Sequence, residues 1–97
     1  MSEYSWPDYP QIAARARTAW DRTAAELPVG TRVAGEVIGR QPFGVFIRLD
    51  GHPEAIGLAE VIAMPPCETL PLVGMRVSGE VIWHTEHNHQ VKIRLTG

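Results

Sequence analysis

Two aromatic rings and one guanidinium group stand among aliphatic side chains in residues 42–49, Pro-Phe-Gly-Val-Phe-Ile-Arg-Leu. Neighbouring side chains of a strand point to opposite faces, so the three aliphatic residues share one face and Phe46 and Arg48 share the other. An outward ring beside an outward cation suits a planar, anionic partner, because the ring stacks on a base and the cation meets a phosphate. The alternative is structural, with Phe46 packed under a loop or against an N-terminal helix. These eight residues leave both possibilities open.

A second group with possible chemistry is the histidine cluster His84-x-x-His87-x-His89. Its spacing could bring two imidazoles together in a hairpin, but no cysteine or carboxylate pattern completes a tetrahedral metal site. The sequence also shows no catalytic triad and no phosphate-binding glycine loop, since Ser78 falls inside a predicted strand and Cys67 follows two prolines. We therefore expect no metal, no other cofactor and no enzymatic activity.

The composition is that of a small globular domain. The chain has 97 residues, of which 44% are hydrophobic and 21% charged, which suffices for a single core. No apolar run approaches the ~20 residues of a membrane helix, and the N-terminus lacks the features of a signal peptide. A single cysteine, Cys67, excludes an intramolecular disulfide. These features predict a cytoplasmic protein with no membrane partner.

The charge balance argues against strong nonspecific binding to nucleic acid. The net charge is −2, with three basic and four acidic residues in 1–27 and six basic and seven acidic residues in 28–97. Nucleic-acid binding normally shows as a basic surplus. Any such affinity would have to come from local clustering and from stacking.

The first 27 residues predict an extended arm followed by one helix. Tyr4, Trp6 and Tyr9 alternate with prolines, which suits an arm held to the domain by its aromatic rings. A helix is predicted over about 10–26, with Ile12, Ala16 and Trp20 on one stripe, and this stripe should dock on the rest of the domain and close one end of it.

An internal repeat organises the remaining residues, 28–97. The segment Val29–Ile38 recurs 44 residues later as Val73–Ile82, with Met75 in place of Thr31 and Ser78 in place of Ala34. Each copy predicts a strand that follows a glycine turn and contains a central glycine, which marks a bulge or sharp bend. The alternation predicts that Val77, Val81 and Trp83 face inward, and Trp83 is expected to be a packing residue.

Three further strands complete the predicted domain. They are residues 43–49, a short strand near 55–61 and a last strand at 90–95, with a proline-rich connector at 62–72. In the last strand Lys92 and Arg94 face outward. We predict a mainly β fold over about 30–96: a five-stranded Greek-key barrel of the oligonucleotide/oligosaccharide-binding class, the OB-fold, preceded by one N-terminal α-helix.

Residues 28–96 resemble the RNA-binding domain named after ribosomal protein S-one. The matching segments stand in the family's order: residues 30–37 (Gly-Thr-Arg-Val-Ala-Gly-Glu-Val), 43–47 (Phe-Gly-Val-Phe-Ile), 57–58 (Gly-Leu), 74–77 (Gly-Met-Arg-Val) and 92–96 (Lys-Ile-Arg-Leu-Thr). The family binds RNA on the face of the second and third strands through two aromatics, a histidine and basic residues of the closing hairpin. By this resemblance the site would comprise Phe43, Phe46, Lys92 and Arg94, and the alternation adds Arg48.

The chain departs from the family pattern at Glu60, which stands where the family has its histidine, and at Ile62, which stands where the family has a serine. The expected function is weak single-stranded RNA binding. The alternative is a protein-interaction module in which the barrel face or the N-terminal arm docks a partner. A basic patch around Phe46, formed by Arg32, Arg40, Arg48, Lys92 and Arg94, would favour RNA. A surface of Glu36, Glu60 and Glu80 beside exposed apolar residues would favour a protein.

Overall fold

The computed structural model describes residues 4–64 and 69–96. Predictions that involve Cys67 or the two prolines before it lie outside these residues. The elements are α1 (Tyr9–Thr18), α2 (Trp20–Glu26), β1 (Arg32–Gln41), β2 (Gly44–Leu49), β3 (Ile56–Glu60), a 3-10 turn (Val61–Ala63), β4 (Arg76–Thr85) and β5 (Gln90–Leu95).

The five strands form a closed barrel in the order β1-β2-β3-β5-β4, and β4 pairs with β1 to complete it. All neighbouring strands are antiparallel except β3 and β5. Inward side chains of every strand fill the interior, among them Val37, Ile47, Ala59, Val81 and Ile93, each at most 1% exposed. The mainly β OB-fold barrel predicted from the sequence is confirmed.

The sequence repeat is also a structural repeat. Gly35 of β1 lies against the backbone of β2, where a Cβ would come within 2.2 Å of the Arg48 carbonyl oxygen, and Gly79 of β4 lies against β5, where a Cβ would come within 2.3 Å of the Arg94 carbonyl oxygen. The glycine turn before each of these strands is hydrogen-bonded to the other strand of the repeat. The amide of Gly30 donates to the carbonyl of Val81, and the amide of Gly74 donates to that of Val37.

Both repeat strands shift register at the same place, at Ile38 in β1 and at Ile82 in β4. An extra residue in a bulge reverses the alternation beyond it. The prediction that Trp83 faces inward is therefore wrong: Trp83 is 66% exposed. His84 takes the inward direction instead, and its Nε2 donates to the Leu27 carbonyl oxygen at 2.6 Å.

The N-terminal helix is divided at Ala19, whose ψ of 6° separates α1 from α2. The Thr18 hydroxyl donates to the Ala14 carbonyl, a bond that bends helices. Trp20 of α2 and Leu27, which directly follows α2, join the interior core and cap one end of the barrel. Ala16 of the first part packs outside the barrel against β2 and β3. Among the described residues no helix has the length and apolarity needed to cross a membrane.

Candidate nucleic-acid interface

Four outward side chains form a row across the barrel because their strands pair in register. Phe46 of β2 is opposite Leu58 of β3, Leu58 is opposite Lys92 of β5, and Lys92 is opposite Trp83 of β4. We call these four residues the outer row. Phe43 lies at the turn between β1 and β2, beside the start of this row. The outer row contains two of the predicted site residues and one tryptophan that the sequence analysis assigned to packing.

Phe46 lies on the outer face of the sheet, but it is only 2% exposed. The rings of Trp6 and Tyr9 lie over it, with centroids 5.8 and 5.6 Å from its own. Ala16 of α1 packs in the same cluster. Of the two alternatives that the sequence left open, the structural one therefore applies to Phe46. The prediction that this ring is exposed for stacking on a base is wrong. The face of β2 that the resemblance assigns to RNA is covered by the chain's own N-terminus.

The arm that covers Phe46 is attached to β1 as a short extra strand. Ser5 and Arg40 exchange two backbone hydrogen bonds, of 2.8 and 2.7 Å. Pro7 packs directly on Gly39, where a Cβ would lie 2.4 Å from the proline ring. Since only glycine leaves room for this contact, the arm is an integral part of the barrel surface.

An open groove of about 570 Å³ lies beside the covered ring. Trp6 is 61% exposed and Phe43 is 42% exposed, and their ring centroids are 6.0 Å apart with planes tilted by 49°. Both rings are thus accessible from solvent at the same edge. The lining residues are Trp6, Tyr9, Phe43, Phe46, Leu58, Glu60, Asn88, Gln90 and Lys92.

Polar groups occupy the far side of this groove. Gln90, which is 4% exposed, donates from Nε2 to the Tyr9 hydroxyl at 2.6 Å. The buried Oδ1 of Asn88 has no hydrogen-bond partner among the described residues. The ammonium group of Lys92 lies 2.9 Å from a carboxylate oxygen of Glu60. The groove therefore combines accessible rings with one cation whose charge a glutamate already balances.

The other predicted basic residues are paired in the same way. Arg48 donates to Glu36 at 2.8 Å, and Arg94 donates to Glu80. Because Gly35 and Gly79 precede the two glutamates, these pairs are equivalent in the structural repeat. The glutamates and cations that were to distinguish protein from RNA binding are thus paired with one another, and each of the three glutamates neutralises one cation.

Arg40 serves the fold and does not join a basic patch. It is 6% exposed, and its guanidinium donates to the carbonyl oxygens of Pro71 and Leu70 at 3.0 and 3.2 Å. Its carbon Cζ also lies 5.2 Å from the centre of the Tyr4 ring. The arginine therefore ties the arm and the segment before β4 to β1.

Of the five predicted site residues, the structure brings Phe43, Phe46 and Lys92 to the groove. Arg48 and Arg94 are outward on the same strands but do not line it. The sequence analysis missed the part played by Trp6 and Tyr9. The alternation of aromatics and prolines in the arm was the available signal, but it did not indicate which strand the arm would cover.

Two members of the histidine cluster pack on Trp20. The rings of His84 and His89 lie edge-on to Trp20, at centroid distances of 6.0 and 5.6 Å. Within residues 4–64 and 69–96, no group of three or more histidine, cysteine or acidic side chains is arranged to hold a metal ion.

Solved structures share this fold. The RNase R of Mycoplasma genitalium superposes with a TM-score of 0.70 at 14% identity, over 86% of this chain and 15% of that one, both in its apo form and in complex with ribose-methylated single-stranded RNA. A multidomain protein with nucleic-acid-binding domains from Streptococcus pneumoniae superposes with a TM-score of 0.61 at 16% identity, over 82% of this chain and 28% of that one. The chain thus corresponds to a small part of each. No family model and no curated protein matches the sequence.

Proposed function

We propose that the chain is a nucleic-acid-binding module of the S-one type that binds single-stranded RNA weakly in the open groove. The observation that carries the proposal is the pair of accessible rings, Trp6 and Phe43, beside Lys92 on the outer face of the barrel. The RNase R that shares the fold was solved with single-stranded RNA bound, which supports this class of ligand. We further propose that the chain has no catalytic activity and that it acts in the cytoplasm.

The rings supply the main attraction in this proposal. Every base has a π-face, and stacking on an aromatic side chain contributes about 1–3 kcal/mol per base whatever the protein's net charge. Two bases on Phe43 and Trp6 can therefore offset a weak electrostatic term. Affinity in the micromolar range corresponds to about 8 kcal/mol.

The cations contribute little to the affinity, because each must exchange a glutamate for a phosphate. Lys92 is nearest to the rings, and its ammonium group is bound to Glu60. Arg48 and Arg94 are proposed as further phosphate contacts outside the groove, bound at present to Glu36 and Glu80. A single-stranded ligand releases about 0.7 counterion per neutralised phosphate. Three contacts therefore give a shallow salt dependence, with a slope of magnitude about 2 at most.

The test is a titration of the folded chain with a fluorescent mixed-sequence single-stranded RNA at two salt concentrations. We expect saturable micromolar binding and the shallow salt slope. Phe43→Ala should weaken binding roughly tenfold through loss of one stacking partner. Val29→Ala is the matched control, because Val29 is 59% exposed and does not line the groove.

Absence of saturable binding at low salt would reject the proposal, as would a Phe43→Ala variant that binds like the parent. In either case the same groove would become a candidate docking surface for a polypeptide, whose apolar side chains could occupy the space between the rings.

A further inference from the structure

Trp83 is the exposed aromatic side chain on the outer row that does not line the groove. It is 66% exposed, and its ring makes no aromatic contact with the described residues. Burying a tryptophan is favourable, so a protein of this size gains stability by packing one inside. The bulge at Ile82 directs Trp83 outward and leaves the ring in solvent.

The structural repeat shows what is particular about this position. The residue equivalent to Trp83 in β1 is Gly39, since each follows a Val-Ile pair that contains the bulge. Gly39 pairs with Phe46 and is covered by Pro7 of the arm. Trp83 pairs with Lys92 and is uncovered. The two equivalent bulges are thus followed by different residues: a glycine covered by Pro7 in β1, and a tryptophan exposed to solvent in β4.

Three residues of the outer row, Phe46, Leu58 and Lys92, line the groove, and Trp83 is the next residue of the row after Lys92. Successive residues of the row lie on neighbouring strands, which are about 4.8 Å apart. The path from Phe46 to Trp83 along the surface of the closed barrel is therefore three strand spacings, or roughly 14 Å. Lys92 lies between them. A ligand that leaves the Phe43 ring and crosses β3 and β5 therefore passes the cation and meets the indole.

We propose that Trp83 is a second base-stacking platform of the same site. The inference rests on the proposed function and extends it to the length of ligand taken: a single-stranded segment of roughly four or more nucleotides, the lower end of the range for OB-folds. One part of the segment stacks at Trp6 and Phe43, its backbone passes Lys92, and a later base stacks on Trp83. The ligand runs across the strands β2, β3, β5 and β4.

The test compares a short and a long ligand. Binding of a mixed-sequence single-stranded RNA octanucleotide and of a dinucleotide is measured for the parent and for Trp83→Ala, the dinucleotide by competition. We expect the octanucleotide to bind Trp83→Ala roughly tenfold more weakly, since one stacked base is lost. The dinucleotide, held at the groove, should bind both proteins equally. Trp83→Phe should recover most of the lost affinity.

Val73→Ala is the matched control, because Val73 is 49% exposed in the turn before β4 and precedes Trp83 by ten residues. Trp83→Ala should melt with the parent, so that a change in binding is not a change in folding. Parent protein that binds no octanucleotide overturns the proposed function and this inference with it. Parent that binds the octanucleotide, with Trp83→Ala binding equally well, overturns the role of Trp83 alone.

Discussion

The ammonium group of Lys92 lies 2.9 Å from a carboxylate oxygen of Glu60, at the edge of the groove that holds Trp6 and Phe43. Lys92 is 18% exposed at its side chain and Glu60 is 33% exposed, so the pair is partly shielded from water. An RNA phosphate has to compete with this carboxylate for the cation. The pair therefore limits the electrostatic share of any binding in the groove.

The first prediction follows from this pair. Glu60→Gln keeps the shape of the side chain and removes its charge, so it should strengthen binding of single-stranded RNA roughly fivefold, equivalent to about 1 kcal/mol. The salt slope should stay close to that of the parent, because Lys92 is already one of the three proposed phosphate contacts. Glu54→Gln makes the same change in net charge at the Arg22 pair, outside the groove. Equal gains in the two variants would show that only net charge matters.

The second prediction concerns the two phenylalanines. Phe46→Ala should lower the free energy of unfolding by about 3–5 kcal/mol, because Phe46 is buried under the arm and α1. Phe43→Ala should cost less than about 1 kcal/mol, since Phe43 is 42% exposed. Urea denaturation followed by circular dichroism measures both. Similar losses for the two variants would contradict the burial of Phe46.

The third prediction tests the docking of α1. Ala16→Asp should destabilise the protein by at least about 3 kcal/mol, because it places a carboxylate between the helix and Phe46. Ala14→Asp, on the exposed side of the same helix, should have little effect. Thermal denaturation and gel filtration distinguish them. If the two variants melt together, the helix does not need its contact with the barrel.

The fourth prediction uses the structural repeat. Gly35→Ala and Gly79→Ala should each destabilise the barrel by roughly 2–4 kcal/mol, because the new Cβ would collide with a backbone carbonyl of the neighbouring strand. The two losses should agree within about 1 kcal/mol. Ala34→Ser introduces the residue found in the second copy and should be nearly neutral. A loss at one glycine only would mean that the two copies are not equivalent in energy.

The fifth prediction is a pH dependence. The Arg76 guanidinium binds both oxygens of Asp50 and lowers the pKa of that carboxyl below its ordinary 3.8. A group whose pKa is lower in the folded state stabilises the fold above its unfolded pKa, and the contribution disappears as the pH falls through the folded pKa. The stability difference between the parent and Asp50→Asn should therefore be constant from pH 5 to 7, roughly, and vanish in stronger acid. Urea midpoints across this range measure it.

The fold could be predicted because its signals are local. The alternation in β2 and the two glycine-containing segments each act within ten residues, and the structure has strands at these places. Trp83 could not be placed, because alternation fixes direction only until a bulge intervenes. Nothing in the Val81-Ile82-Trp83 sequence distinguishes a regular strand from one that gains a residue at Ile82.

The site was harder to predict because its residues meet over long sequence separations. Periodicity places Phe46 on the outer face, but the contact with Trp6 and Tyr9 depends on the path of an arm some 40 residues earlier in the chain. The pairing of Lys92 with Glu60 likewise depends on the register between β3 and β5. The residue types indicated that an aromatic ring and a cation lie on this face. That the ring of Phe46 is covered and the charge of Lys92 is balanced depends on contacts made only in the folded barrel.

The hydrogen bond between Tyr9 and Gln90 joins residues 81 positions apart. Closing so long a loop costs entropy before any contact repays it, and proteins rich in such contacts fold slowly. The groove has Trp6 on one side and Lys92 on the other, so it cannot exist in a chain whose last strand has not yet docked. A refolding chain should therefore gain its capacity to bind only when β5 has paired with β3 and β4. A ribosome would likewise have to release all five strands before the module could engage a ligand.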